Sequence, residues 1–587
     1  MDDIAGIASR WGIETDYVDA YGRRQTADPN AVRRIVAALA ASGVDPAEFP
    51  PSPPPVPAFQ GDGRRLWALA VQLYGVRSRR NWGHGDFTDL AQLIELAAAV
   101  GAAGIGLNPL HALFPDRAEQ ASPYAPNSRL FLNPLYIDVE AIPEFPGLDG
   151  AAARMRDALR AKDLVDYVGV AQLKLAALRA SHERFRVAGD VERQRDFDAF
   201  RTEQGSALQR FAAFETLRGR FRRVWWEWPA EWRQLDAERL DALRECEAEE
   251  IGFHEFVQWI ADRQLRHCRN LAHRHHLPVG LYVDLAVGVE AGGADAWIEQ
   301  GAILKGLAVG APPDALNVMG QDWGLTSFNP HSLVAQHFAP LRRMLGAAMR
   351  YAGAVRLDHV LGLMRLFVIP HGLSPKHGAY LRFPLGAMLS TVAEESRKTR
   401  CIVIGEDLGT VPEGFRDKMA AWGLWSYLVM LFERDHGGGF RPADRYAAQA
   451  LATFNTHDLP SFAGWISGYD LTLKRQIGID PGESDEERAH SRAMLRRALN
   501  LADDATPQFA DVARFLAATP TRLVMVAIED ILAVEDQVNV PGTVAQHPNW
   551  QRRLPVMLEN LKADPRLTRV AEVFAQARRS SGSRQTG

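Results

Sequence analysis

The sequence predicts an α/β fold: a (β/α)8 TIM barrel with helical insertions and a small N-terminal helical unit. Three observations carry this expectation. Eight short apolar runs of strand length recur along the chain. Segments with apolar residues at helical spacing separate them, the alternation a barrel requires. The strand ends of the fourth, fifth and seventh runs finish with a carboxylate, and in such a barrel the carboxyl ends of the strands form the active-site face. The chain has 587 residues, enough for a large barrel with additions.

Taken in order, residues 1–49 read as the helical unit. PNAV followed by RRIVAALAASG has helical spacing, with Gly43 as a stop. A linker covers 50–63 and begins PPSPPPVP, a composition that makes a stiff, extended spacer. The barrel is assigned to 64–578. Its eight runs fall at 67–76, 105–110, 278–287, 355–358, 401–409, 425–432, 451–458 and 521–530. Between the first two, DFTDLAQLIELAAAVGAAG reads as a helix with Asp89 near its start and Gly101 after its end. Residues from about 145 to 276 contain no convincing strand and read as amphipathic helices inserted after the second run. A second helical insertion is placed at about 470–515, and a disordered tail at 579–587.

Composition narrows the function classes. Lys plus Arg total 67 and Asp plus Glu 72, a net charge of −5 that argues against a nucleic-acid or anionic-membrane partner. Cys246, Cys268 and Cys401 have no CxxC spacing, which suggests a reducing, cytoplasmic compartment and no zinc site. The N-terminus MDDIAGIASRWG lacks the pattern of a secretory signal, and no apolar run is long enough to span a bilayer. No phosphate loop, nucleotide fingerprint or metal cluster is visible, so no cofactor and no metal are expected. Some of the 14 tryptophans suit aromatic platforms, although most suit a core.

The chemistry is expected at the strand ends. VRLDH places Arg356 and Asp358 on one strand face, with Leu357 on the other. Arg356 is the local partner that keeps Asp358 ionised, the state a nucleophile needs; a purely structural Arg–Asp pair is the alternative. VIGED carries Glu406, and FNTHD ends in Asp458. Converging carboxyl groups are the equipment of glycoside chemistry, in which one attacks the anomeric carbon while another protonates the departing oxygen. Crowding by Asp358 and Asp458, with the apolar strand before it, raises the pKa of Glu406. Asp407 points away by alternation. The alternative for Glu406 is a charge at a helix start, and for His457 a structural histidine. His359 and Asp284 read as structural, Asp284 at most as support for the site.

Seven stretches carry a family resemblance: QLYGVRSRRNWGHGDF, SPYAPNSRLFLNPLYID, PPDALNVMGQDWG, VRLDHVLGLMR, GEDLGTVP, FNTHD, and VPGT followed by HPNWQRRL. With these, residues from about 67 to 554 resemble the amylomaltases, the 4-α-glucanotransferases of the α-amylase-related barrels. The resemblance implies Asp358 as nucleophile, Glu406 as general acid and then base, and Asp458 as the carboxylate that holds the distorted sugar. It implies that Arg356 and His457 flank the reacting ring and that Tyr124, after Ser122 in SPY, lies against the sugar. Asp314, Gln321 and Trp323 belong to a loop expected to reach over the cleft; the alternative for Trp323 is a loop anchor. Asn539, in NVPGT, is a further binding candidate, because sugars offer apolar faces to aromatics and hydroxyls to polar side chains. The continuation LTSFNP after GQDWG places the chain nearer the longer bacterial branch. That branch usually carries β-rich material before the barrel, where this chain has only the linker. The implied activity is transfer of an α-1,4-glucan segment to the 4-hydroxyl of another glucan or glucose. The rival readings are an α-glucan hydrolase on the same barrel and a glucan-binding protein with a decayed site. The expected partners are maltooligosaccharides and other α-1,4-glucans; the sequence leaves oligomeric state open.

Overall fold

The computed structural model describes residues 4–18, 23–234, 236–313 and 319–582. Eight parallel strands close a barrel: β1 Leu66–Val71, β2 Gly104–Leu107, β3 Gly280–Leu285, β4 Ala354–Leu357, β5 Ile402–Gly405, β6 Trp425–Val429, β7 Ala450–Thr453 and β8 Leu523–Ala527. Each pairs with its neighbours in chain order, and β8 closes onto β1. Each lies in one of the eight predicted runs, within a residue or two at its ends.

Every barrel strand is buried on both faces, which is why each reads as an unbroken apolar run. The inward positions of alternate residues make their own cluster, with Ala354, Ile402, Ile404, Leu451, Leu523 and Met525 filling the interior. The outward positions Val355, Leu357 and Val403 pack against the surrounding helices. The helix Phe87–Val100 shows how the sequence sets its ends. Asp86 caps it and forms a capping box with Asp89, and Gly101 ends it at φ 74°, where a side chain would be strained. A cap of this kind contributes about 1 kcal/mol. Arg80 then ties Asp86 and Asp89 to Asp138, at 2.7 Å from the latter, so the RSRRNWGHGDF motif works as a clasp around this helix start.

Among the described residues between β2 and β3 lie six α-helices, including Gly150–Ala161, Tyr167–Ala188, Val191–Phe221 and Ala248–Arg274. Helices Tyr469–Gln476, Asp485–Ala498 and Phe509–Ala518 occupy the segment between β7 and β8.

The structure departs from the sequence reading in four places. A six-stranded sheet had no counterpart in it. Its strands run in the order Ile13–Glu14, Ala379–Arg382, Arg365–Pro370, Leu307–Ala311, Gln321–Thr326, Val289–Glu290, every pair antiparallel. These strands are short and come from loops far apart in sequence, so each lacked a periodic signal of its own. The N-terminal unit is not purely helical: helices Ile4–Arg10 and Pro29–Ala40 flank short strands, one of which forms the edge of that sheet. The linker is not a free spacer, because Arg397 bonds the Val56 and Pro57 carbonyls and Ala58 bonds Trp422. Proline leaves carbonyls without matching N–H groups, and the neighbouring helix supplies the donors. Finally, the last helix, Pro565–Gly582, takes in the first four residues of the expected tail; residues 583–587 lie outside the described part. Among the described residues, no helix is long and apolar enough to cross a membrane.

Candidate active site

The site is built on the ends of β3, β4 and β5. In the ladder Arg356 pairs with Asp284 on one side and Ile404 on the other, and Leu357 pairs with Leu285 and Gly405. The bonding continues one residue further, with Asp358 N–H to Leu285 at 3.1 Å and Glu406 N–H to Leu357 at 3.0 Å. Asp358 and Glu406 are therefore the next rung on adjacent strands, both on the inward face. Adjacent strands lie about 4.8 Å apart, close to the roughly 5 Å separation of a retaining carboxylate pair.

One buried guanidinium organises the rung. Arg356 Nη1 lies 2.8 and 2.9 Å from the two oxygens of Asp284 and 2.9 Å from Asp358 Oδ1; Nη2 lies 3.9 Å from Glu406. Burial works against its charge, but Asp284 and Asp358 more than offset this and raise its pKa well above the ordinary value. Glu406 is nearly buried and its pKa is pushed up to about 7. Burial is the main cause, with Arg356 pulling down and Asp358 pushing up. The backbone N–H groups of His359 and Leu408 donate to its two oxygens at 2.9 and 2.8 Å and fix its orientation.

The turn that delivers the His359 N–H is unusual. His359 sits at φ 46°, the left-handed region that costs a non-glycine residue about 1 kcal/mol. Gly405 makes room for the turn, since a Cβ there would lie 2.8 to 3.0 Å from the Val360 side chain. His359, expected to be structural, thus holds Glu406 through its backbone, and its ring meets Trp323 edge-on at 5.3 Å.

The second half of the site comes from the loops after β2, β7 and β8. The Tyr124 hydroxyl donates to Asp284 at 2.6 Å, and its ring stacks on His457 at 4.8 Å. Ser122 Oγ accepts from the Tyr124 N–H at 3.3 Å, which shapes that turn. His457 Nε2 lies 3.3 Å from Asp458, and Asn539 donates to Asp458 at 2.6 Å. Burial disfavours a charged His457, and the Asp458 carboxylate outweighs it, so its pKa is raised. In return, partial burial is outweighed for Asp458, and His457 and Asn539 hold its carboxyl below the usual range. Gln321 accepts from the Trp323 indole at 3.2 Å on the strand Gln321–Thr326. Asp314 lies outside the described residues.

Trp550 escaped the sequence reading, and Asp284 was read only as structural or supporting. Asp284, a carboxylate near the end of the third run, is the main partner of Arg356 and of Tyr124, which is the supporting role expected of it. Trp550 packs on Tyr124 and His457 with ring centres at 5.5 and 5.2 Å, and it sits in the HPNW motif.

The arrangement pairs a carboxylate held by an arginine with a carboxyl group that ionises near neutrality, beside aromatic faces. That is the equipment for covalent glycosyl transfer. Comparison with known proteins agrees. The family model described as 4-alpha-glucanotransferase matches residues 71–559. The 4-alpha-glucanotransferase of Mycobacterium tuberculosis is 39% identical over 549 residues, covering 88% of this chain and 75% of that protein. That of Haemophilus influenzae is 36% identical over 542 residues, covering 85% and 77%. The crystal structure of amylomaltase from Corynebacterium glutamicum superposes with a TM-score of 0.85 at 28% identity, covering 97% of this chain and 99% of that one. The chain belongs to the 4-α-glucanotransferase family, the amylomaltases.

Proposed function

We propose that this protein disproportionates α-1,4-glucans by a retaining double displacement centred on Asp358, with maltooligosaccharides as donors and acceptors. Asp358 attacks the anomeric carbon while Glu406 protonates the departing 4-oxygen, and a shorter glucan or glucose leaves. The 4-hydroxyl of an incoming glucan then attacks the glycosyl-enzyme, and Glu406, now ionised, takes its proton. A carboxyl group with a pKa of about 7 can serve both steps near neutral pH. Asp458, Arg356 and His457 bind the distorted ring, and Tyr124 covers its face. Ser122 shapes the Tyr124 turn. Asn539 orients Asp458. Gln321 and Trp323, from the loop that reaches over the cleft, help exclude water from the intermediate.

The observation that carries this reading is the shared rung of Asp358 and Glu406 across β4 and β5, bridged by Arg356. The free thiols Cys246, Cys268 and Cys401 suit a reducing, cytoplasmic setting. The slight net negative charge suits a sugar partner better than nucleic acid or an anionic membrane. Incubation with maltotriose tests transfer directly. Glucose together with a ladder of longer oligomers is the expected result; shorter sugars alone would make the protein a hydrolase.

A further inference from the structure

A tryptophan-rich turn, Val224 to Glu227, lies in the helical segment between β2 and β3 and takes no part in the mechanism above. Most tryptophans of the described chain are buried in packing. Trp225, Trp232 and Trp323 are partly buried, and Trp226 is the one exposed tryptophan among the described residues, at 45%. Its indole N–H has no protein partner among the described residues, whereas Trp225 donates to the Ala291 carbonyl at 2.8 Å and Trp228 to the Arg223 carbonyl at 2.9 Å. The turn is also rigid. Trp225 meets Trp226 edge-on at 5.3 Å, and Trp228 packs on Phe214 and Trp297. An exposed aromatic face held in place costs transfer free energy unless something covers it.

The turn is tied to the catalytic mouth by short links. Ala291 follows the strand Val289–Glu290, which pairs with Gln321–Thr326, the strand that carries Trp323. Two residues along that strand, about 7 Å, and one strand across, about 5 Å, separate Trp323 from Glu290. The Glu290 N–H also bonds the Pro126 carbonyl at 3.0 Å, two residues from Tyr124. Glu290 itself is paired with Arg117 at 2.9 Å, one residue before the Ala291 carbonyl that holds Trp225.

We propose that Trp226 is a distal glucan-binding platform: an α-1,4-glucan too long to be contained at the reacting centre lays a sugar face on its ring. This rests on the function proposed above, and it extends the binding path beyond the residues assigned there. A sugar ring offers the apolar face that an exposed indole matches, and Arg117, Glu290 and the free indole N–H can bond its hydroxyls.

Kinetics with substrates of two lengths test it. In W226A the kcat/KM for maltotriose stays within twofold of the parent, while KM for amylose rises about three- to tenfold with kcat little changed; W226Y restores most of the loss. Equal KM values for amylose in W226A and the parent would overturn the proposal. So would an equal fall on both substrates, which would make Trp226 part of the turn's folding alone. A parent enzyme that forms no ladder from maltotriose would instead refute the transfer reaction itself, so the two failures are told apart.

Discussion

Replacing Asp358 with Asn asks whether the pKa of Glu406 is set as the geometry says. The substitution keeps the shape and the oxygen facing Arg356 but removes one negative charge next to Glu406. At a strand spacing of about 4.8 Å and an effective dielectric of about 20, that charge is worth about 3.5 kcal/mol, or about 2.5 pKa units. This is a ceiling, because Asp358 and Glu406 are 20% and 11% exposed and the mouth admits water. Arg356, relieved of one ionic partner, acts more strongly on Glu406 in the same direction. The Glu406 carboxyl, at about 7 in the parent, therefore falls by about one to two units in the variant. Carbon-13 NMR of protein labelled at glutamate side-chain carboxyls reads this directly, with E406Q identifying the resonance. An unchanged or higher value in D358N would refute the shared rung, since a group that does not feel Asp358 is not beside it.

Three further outcomes follow from the same contacts. Asn539→Ala removes the 2.6 Å donor to Asp458, so the Asp458 pKa rises and the acidic limb of the kcat/KM profile moves to higher pH, with a loss of about tenfold at its optimum, since a hydrogen bond to a charged group is worth about 1.5–3 kcal/mol; a profile that keeps its acidic limb would contradict this. Gly405→Ala drives a methyl into Val360 and displaces the turn that orients Glu406, at a cost of about 1–3 kcal/mol; calorimetry and kcat should fall together, and a lower Tm with full kcat would separate the turn from catalysis. Asp530 is buried, one of its oxygens has no hydrogen-bond partner, and burial pushes its pKa up to about 7. It takes up a proton on folding, so its contribution to stability is present below the ordinary carboxylate pKa and lost as pH rises through 7. Asp530→Asn imitates the protonated form, and its Tm declines less than the parent's between pH 6 and 8.5; parallel declines would rule this out.

The barrel was legible because its strands are buried on both faces and so carry a continuous apolar signal, and because helices such as Phe87–Val100 announce their own ends with Asp86 and Gly101. The three carboxylates were legible because each closes such a run or follows it within a few residues. The six-stranded sheet was not. Its partners lie far apart in sequence, and a strand as short as Val289–Glu290 has no periodicity to read. The particular contacts of Asp284 and His359 were hidden for a different reason. Asp284 matters through a side-chain contact across strands and His359 through its backbone N–H, and neither is written in residue type.

The central claim is that Asp358 becomes covalently bonded to sugar. In E406Q the acid is absent, so an α-maltosyl fluoride, whose leaving group needs no proton, can form the glycosyl-enzyme while its discharge is slowed. Mass spectrometry of the quenched, digested protein should find the sugar on the peptide containing Asp358. An adduct on any other residue, or continued turnover by D358N, would contradict the account.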